Sequence, residues 1–113
     1  FYETTGSITH DFNNNNTIFV RKTGGGNFTL NVNNVPTDNA GYTITLIIED
    51  SGGTGIPTTL NVDGQGQTIK WAGGSSPGHS GGAICVISFA LIAFNTGTTG
   101  QFTVLGSGSN YES

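Results

Sequence analysis

Charge is what this sequence has least of. Asp, Glu, Lys and Arg make up 9% of the 113 residues, where about a quarter is usual for a globular domain. The cations are Arg21, Lys22 and Lys70 alone. Nucleic-acid binding needs clustered Lys and Arg to neutralise phosphates, so only three cations and a net charge of -4 exclude that class. Cysteine occurs once, at Cys85, which rules out an intrachain disulfide and a cysteine-ligated metal cluster. The thiol sits in an apolar run and is expected to be buried and inert. Lack of disulfides is compatible with synthesis in a reducing cytoplasm. Helical apolar spacing over three turns is missing too. The longest apolar run, Ala83–Phe94, falls short of the roughly 20 residues a membrane-spanning helix needs, so no membrane insertion is expected. The opening FYETTGSITH has neither the basic region nor the apolar run of a signal peptide. A chain that opens on Phe1 rather than Met is expected to be a processed product or part of something longer.

In place of charge stand Gly, Thr, Asn and Ser, and between them short segments with a two-residue apolar period. Phe28, Leu30 and Val32 alternate with Thr29, Asn31 and Asn33; Tyr42, Ile44, Leu46 and Ile48 alternate with Thr43, Thr45 and, after Ile47, Glu49. This is the pattern of half-buried strands. Ser7–Phe12, Thr17–Thr23, Pro57–Val62, Ile69–Trp71 and Gln101–Leu105 read as strands as well. Asn13–Asn16, Gly24–Gly26, Pro36–Ala40, Ser51–Gly55, Asn95–Gly100 and the Asp63-Gly64 signal supply turns. About eight short strands predict an all-β fold: an antiparallel two-sheet sandwich, with a jelly roll as one such topology and a closed barrel as the alternative. Residues 1–6 read as a lead-in and 7–113 as a single domain. No repeat of solenoid length is visible, which argues against stacked repeats.

The segment Thr68–Phe94 anchors this scheme. A short strand ends on Trp71, a loop of small residues follows, and Ile84–Phe94 is apolar on both alternating faces. A strand of that kind must be covered on both sides. Trp71, Pro77, Val86, Phe89 and Phe94 are the expected structural core. The face made by Cys85, Ile87, Phe89, Leu91 and Ala93 is expected to meet a neighbouring subunit, most simply in a trimer, with Ile87, Phe89 and Leu91 at the contact.

One motif invites a chemical reading. Gly78-His79-Ser80-Gly81-Gly82 satisfies the G-x-S-x-G pattern of a nucleophile elbow and resembles the GDSGG of chymotrypsin-like proteases, with His79 in place of Asp. An elbow needs a helix after the serine, and the segment that follows is β-branched and aromatic. The protease reading needs a fold of about twice this length, and the adjacent His10 and Asp11 would point to opposite faces of a strand. A Gly-Ser loop joining two strands is the plainer reading. His10 and His79 lack ligand spacing between themselves and toward Asp11 or Glu49. Asp38, Glu49, Asp50 and Asp63 stand singly, without calcium-loop spacing. No catalytic residue, cofactor or metal site is therefore expected. Tyr2, Tyr42, Trp71 and Tyr111 are candidates for a sugar-stacking platform, and Asn15 and Asn27 head N-x-T sequons that matter only in a glycosylating host.

Lys70-Trp71-Ala72-Gly73-Gly74 with Pro77, then Val86-Ile87-Ser88-Phe89, then Val104-Leu105-Gly106 with Tyr111 together resemble the C-terminal β-domain of tailed-bacteriophage virion proteins, such as tail fibres and capsid decoration proteins of marine and cyanobacterial phages. The resemblance spans Ser7–Tyr111. It departs where that family carries an Asp before its "v.sF" strand and this chain has Cys85. The resemblance implies a non-enzymatic virion part, commonly trimeric, that serves assembly or attachment to a host surface glycan; it is made in the bacterial cytoplasm and works on the extracellular particle. The alternative reading is a carbohydrate-binding module of a secreted bacterial protein.

Overall fold

The computed structural model describes residues 2–4, 6–22, 26–36, 41–50, 55–79, 84–92 and 102–111. Ten strands occur among them: β1 (Tyr2–Thr4), β2 (Ser7–Asp11), β3 (Thr17–Lys22), β4 (Phe28–Asn33), β5 (Gly41–Asp50), β6 (Pro57–Val62), β7 (Gln65–Gln67), β8 (Ile69–Trp71), β9 (Ile84–Ile92) and β10 (Thr103–Tyr111). Six form a large sheet in the order β1-β3-β5-β9-β10-β8, and four form a small sheet, β2-β4-β6-β7. The described residues contain one short 3-10 turn, Ala72–Gly74, and no longer helix.

The chain changes sheet at every step from β1 to β6. Neighbours within a sheet are therefore successive passes in the same direction, and β1–β3, β3–β5, β2–β4 and β4–β6 all pair parallel. The pairings β5–β9, β9–β10 and β6–β7 are antiparallel, and β8 joins the edge of β10 in parallel. The two packed sheets match the expected architecture, but the pairing and the strand number need correction: both sheets are mixed. The reason is physical. A period of two reports which face of a strand is buried, not which strand lies beside it. From β1 to β6 each strand is followed by one in the other sheet instead of by its own neighbour. Unequal passes (Tyr2 opposite Val20, Thr17 opposite Thr45) leave no fixed period for a repeat search to find. Tyr2–Thr4, expected as lead-in, is an edge strand.

The turn before β3 is built from its own polar side chains. Asn13 N–H donates to Asp11 Oδ1 (2.9 Å) and Thr17 N–H to Asn15 Oδ1 (3.3 Å), bonds that let Asn and Asp stand in for backbone partners. The Asp63-Gly64 signal makes the hairpin it promised: φ is 49° and 82°, and Val62 faces Gln65 across a two-residue loop.

Alternation then places one side of every strand in a single core. Ile18, Val20, Ile44, Leu46, Ile48, Cys85, Ile87, Phe89, Leu91 and Val104 of the large sheet face Ile8, Phe28, Leu30, Val32, Leu60 and Val62 of the small one. A large apolar side chain buried in this way contributes roughly 1.5–3 kcal/mol. Lys22 lies fully buried at the end of β3. Its Nζ donates to Gly26 O (2.7 Å) and stands 5.5 Å from the Phe28 ring centroid. No sequence signal singles it out, since strand alternation places it inward exactly as it would a valine.

Candidate functional site

The outer face of the large sheet is the surface that bears most on function. Cross-strand registers order it in rows. Arg21, Glu49, Ile84 and Tyr111 form one row; Phe19, Ile47, Val86 and Ser109 the next; Thr17, Thr45, Ser88 and Ser107 a third; Thr43, Ala90, Leu105 and Lys70 a fourth. The third row is all hydroxyls. It divides two apolar ends, one around Ile84 (42% exposed) and Tyr111 (61%), the other around Leu105 (44%). From row one to row four is about 20 Å at the rise of a strand. Arg21 Nε lies 3.3 Å from Glu49 Oε1 at the first end, an exposed pair of small energetic weight.

At the Leu105 end the face sinks into a hollow of about 420 Å³ whose lining includes Thr43, Lys70, Trp71, Ser88, Ala90 and Leu105. The hollow exists because the side chains on its floor are small: Ser88 and Ala90 on β9, Gly106 and Ser107 on β10. A second hollow of about 380 Å³ lies where the chain crosses from β7 to β8, lined by Gln65, Gln67, Thr68, Lys70, Phe102 and Thr103. Lys70 lines both. Gln67 Oε1 accepts from Phe102 N–H (3.3 Å), which ties the second wall to the start of β10.

Beneath the first hollow lies the segment that the sequence pointed to. Trp71, Gly106, Phe89 and Ile44 share one inward row. Trp71 is half-buried, its ring centroid 5.7 Å from that of Phe89. A side chain on Gly106 would come within 2.7 Å of the indole, so glycine is what lets the ring approach β10 so closely. Positive φ at Gly73 (79°) and Gly74 (88°) then turns the chain. Pro77 is half-buried over Gly108, where an added Cβ would meet Pro77 Cγ at 2.8 Å and Ile87 Cδ1 at 2.6 Å. Asn110 Nδ2 pins the loop by donating to Gly78 O (2.8 Å).

The expected core residues thus divide. Phe89 is fully buried and Trp71 and Pro77 partly so, while Val86 lies half-buried on the outer face and Phe94 falls outside the described residues. The expected subunit contact needs correction. Ile87, Phe89 and Leu91 are 0% exposed between the two sheets of one chain, because the small sheet covers that face; the side of β9 left uncovered carries Ile84 and Val86. Of the sugar-platform candidates, Tyr42 turns inward, edge-on to Phe12 at 5.7 Å, Tyr111 lies open at the far end of the outer face, and Trp71 lines the first hollow. No side-chain position is described for Tyr2.

The histidines are tied to backbone. His10 is buried with Nε2 2.9 Å from Asn15 O, and His79 is buried with Nδ1 3.0 Å from Gly55 O. Ser80 lies outside the described residues, and the first described element after it is strand β9, where an elbow would need a helix. Asp11 takes hydrogen bonds from Asn34 Nδ2 (3.0 Å) and Asn13 N–H, which hold its carboxyl below the ordinary aspartate value. Burial pushes the Cys85 thiol up, as befits an inert core cysteine. Among the described residues no three His, Cys, Asp or Glu gather to hold a metal ion, and no helix is long and apolar enough to cross a membrane. No family model, no curated protein and no solved structure matches the chain.

What sequence reasoning missed is the hollow and the place of Lys70 beside it. The signal was there in part: Ser88 and Ala90 are small residues in an otherwise bulky strand, and Lys70 is one of only three cations.

Proposed function

We propose that this chain is a non-enzymatic domain on the surface of a tailed-phage virion, part of a tail fibre or a capsid decoration or head fibre, serving particle assembly or host attachment. One observation carries the reading. The three sequence pieces that resemble such virion proteins are distant in the chain, yet they pack as one unit: Trp71 against Phe89 and over Gly106, and Pro77 over Gly108 beside Ile87. That these pieces share a packing role as well as a resemblance is what supports the reading.

Copies of the chain meet, in this reading, as a trimer through the Ile84, Val86 and Tyr111 end of the outer face, where apolar side chains lie uncovered. Immunogold labelling with antibodies to residues 1–113 tests the assignment on phage particles that encode the chain. Label confined to the tail tip or the capsid surface is the expected outcome, and particles without label exclude the reading. Light scattering across dilution tests the trimer, and a monomer at high concentration, with no trimer in the particle, removes it. The second reading, a carbohydrate-binding module of a secreted bacterial protein, is favoured by the two hollows beside Lys70 and would leave particles unlabelled.

A further inference from the structure

Lys70 is singled out by charge. Of the three cations, Arg21 is paired with Glu49 and Lys22 is buried against a carbonyl. Lys70 is exposed, and among the described residues no ion pair involves it. In a chain of net charge -4 it is the one described cation presented to solvent without a carboxylate beside it. It stands on the ridge between the two hollows.

We propose that the two hollows form one trough that binds an acidic polysaccharide, with Lys70 pairing the carboxylate of a uronic-type sugar at the ridge. The inference rests on the attachment reading above and names its ligand class and its site. Three features select that class. The first hollow combines apolar surface from Leu105, Ala90 and Trp71 with the hydroxyls of Thr43, Ser88 and Ser107. A sugar ring presents the same mixture, C–H groups on its faces and hydroxyls at its edge. The second hollow offers the side-chain amide of Gln65 and the hydroxyls of Thr68 and Thr103, groups that bond sugar hydroxyls. Each hollow falls within the roughly 300–1,000 Å³ typical of small-ligand sites, so the trough suits a chain of sugars rather than one. A lone cation over neutral walls favours one negative charge among many hydroxyls, not the dense charge of nucleic acid. The trough begins at the hydroxyl row, with Ser88 and Ser107 on its near side, and extends away from the Ile84 and Tyr111 end, which leaves it open when copies meet there.

The test is a titration of residues 1–113 with a short oligogalacturonate, read from the emission of Trp71, the sole tryptophan. The companion arms are a malto-oligosaccharide of equal length and inorganic phosphate at matched ionic strength. A saturable change with oligogalacturonate alone is expected, weakened about tenfold or more by Lys70→Gln and largely retained by Lys70→Arg. No response to oligogalacturonate, or undiminished affinity in Lys70→Gln, overturns the site. An equal response to the neutral glucan overturns the acidic assignment, and an equal response to phosphate overturns the saccharide. Particle labelling reads the other claim independently. Labelled particles with no glycan response remove the trough alone, whereas a glycan response by a chain absent from particles removes the virion assignment alone.

Discussion

Strand β9 has two apolar faces that meet different fates. Inward, Cys85, Ile87, Phe89 and Leu91 are wholly excluded from water; outward, Ile84 is 42% exposed and Val86, Ala90 and Ile92 are half-buried. Both sides are mostly apolar, the outer one interrupted only by Ser88, so apolarity alone does not separate them. The difference lies in what the rest of the chain lays over each. The small sheet caps the inner face completely, and the described chain lays no second sheet over the outer one. Apolarity on both sides of a strand therefore says that two covers are wanted, not which side the fold itself supplies.

The sharpest way to break the comparison is truncation on either side. Phe89→Ala removes a fully buried ring that Trp71 leans on, and should cost about 3–5 kcal/mol in denaturant unfolding. Ile84→Ser, on the exposed outer face, should cost no more than about 0.5 kcal/mol, while lowering the mass seen by light scattering if copies meet there. Equal losses would erase the distinction between the faces. Trp71→Ala falls between, at about 2–4 kcal/mol, because the ring is only half-buried. Gly108→Ala probes the same corner from β10. The added methyl meets Pro77 and Ile87, and a loss of about 1–3 kcal/mol is expected from overpacking. A thiol reagent offers a finer measure. Cys85 on the inner face should react only at the rate of global unfolding, and fast labelling of the native chain would show that face to be open.

The smallest effect lies on the small sheet. Asp11 is held below the ordinary aspartate value by Asn34 and Asn13, so the stability it lends is present above its unfolded pKa and is lost as pH falls through the folded value. A carboxyl NMR titration should place its midpoint below that of a free aspartate. Asn34→Gly, which keeps the positive φ of 65° and deletes the amide, should raise it.

Much of this fold was legible. The strands at Phe28–Asn33, Gly41–Asp50, Pro57–Val62 and Ile69–Trp71 follow from alternation and turn chemistry, as does the Asp63-Gly64 hairpin. Partnership was not legible, because Leu30 reads the same whether its neighbour is antiparallel or, as here, the parallel Leu60. For the same reason the uncovered side of β9 was assigned to the wrong residues. β10 runs past the expected Gln101–Leu105 on to Tyr111 through Gly106 and Gly108, glycines that let Trp71 and Pro77 lie close against the strand. The hollow depends on small side chains from strands that meet only in the folded sheet, and no local pattern announces such a meeting.

The alternation of β1 to β6 between sheets has a consequence in time. None of β1 to β5 pairs with the strand that precedes or follows it in the chain, so none of their ladders can form as a local hairpin. Each waits for a later pass of the polypeptide, and β5 completes its pairing only against β9. Folds dominated by such distant contacts reach the native state on the order of milliseconds to seconds. On a ribosome, at about 5–20 residues per second, β1 and β2 emerge before the strands they pair with, and β5 must stay soluble with one edge open until β9 arrives. A surface of Thr, Asn and Gly, poor in apolar runs until β9, is suited to that wait.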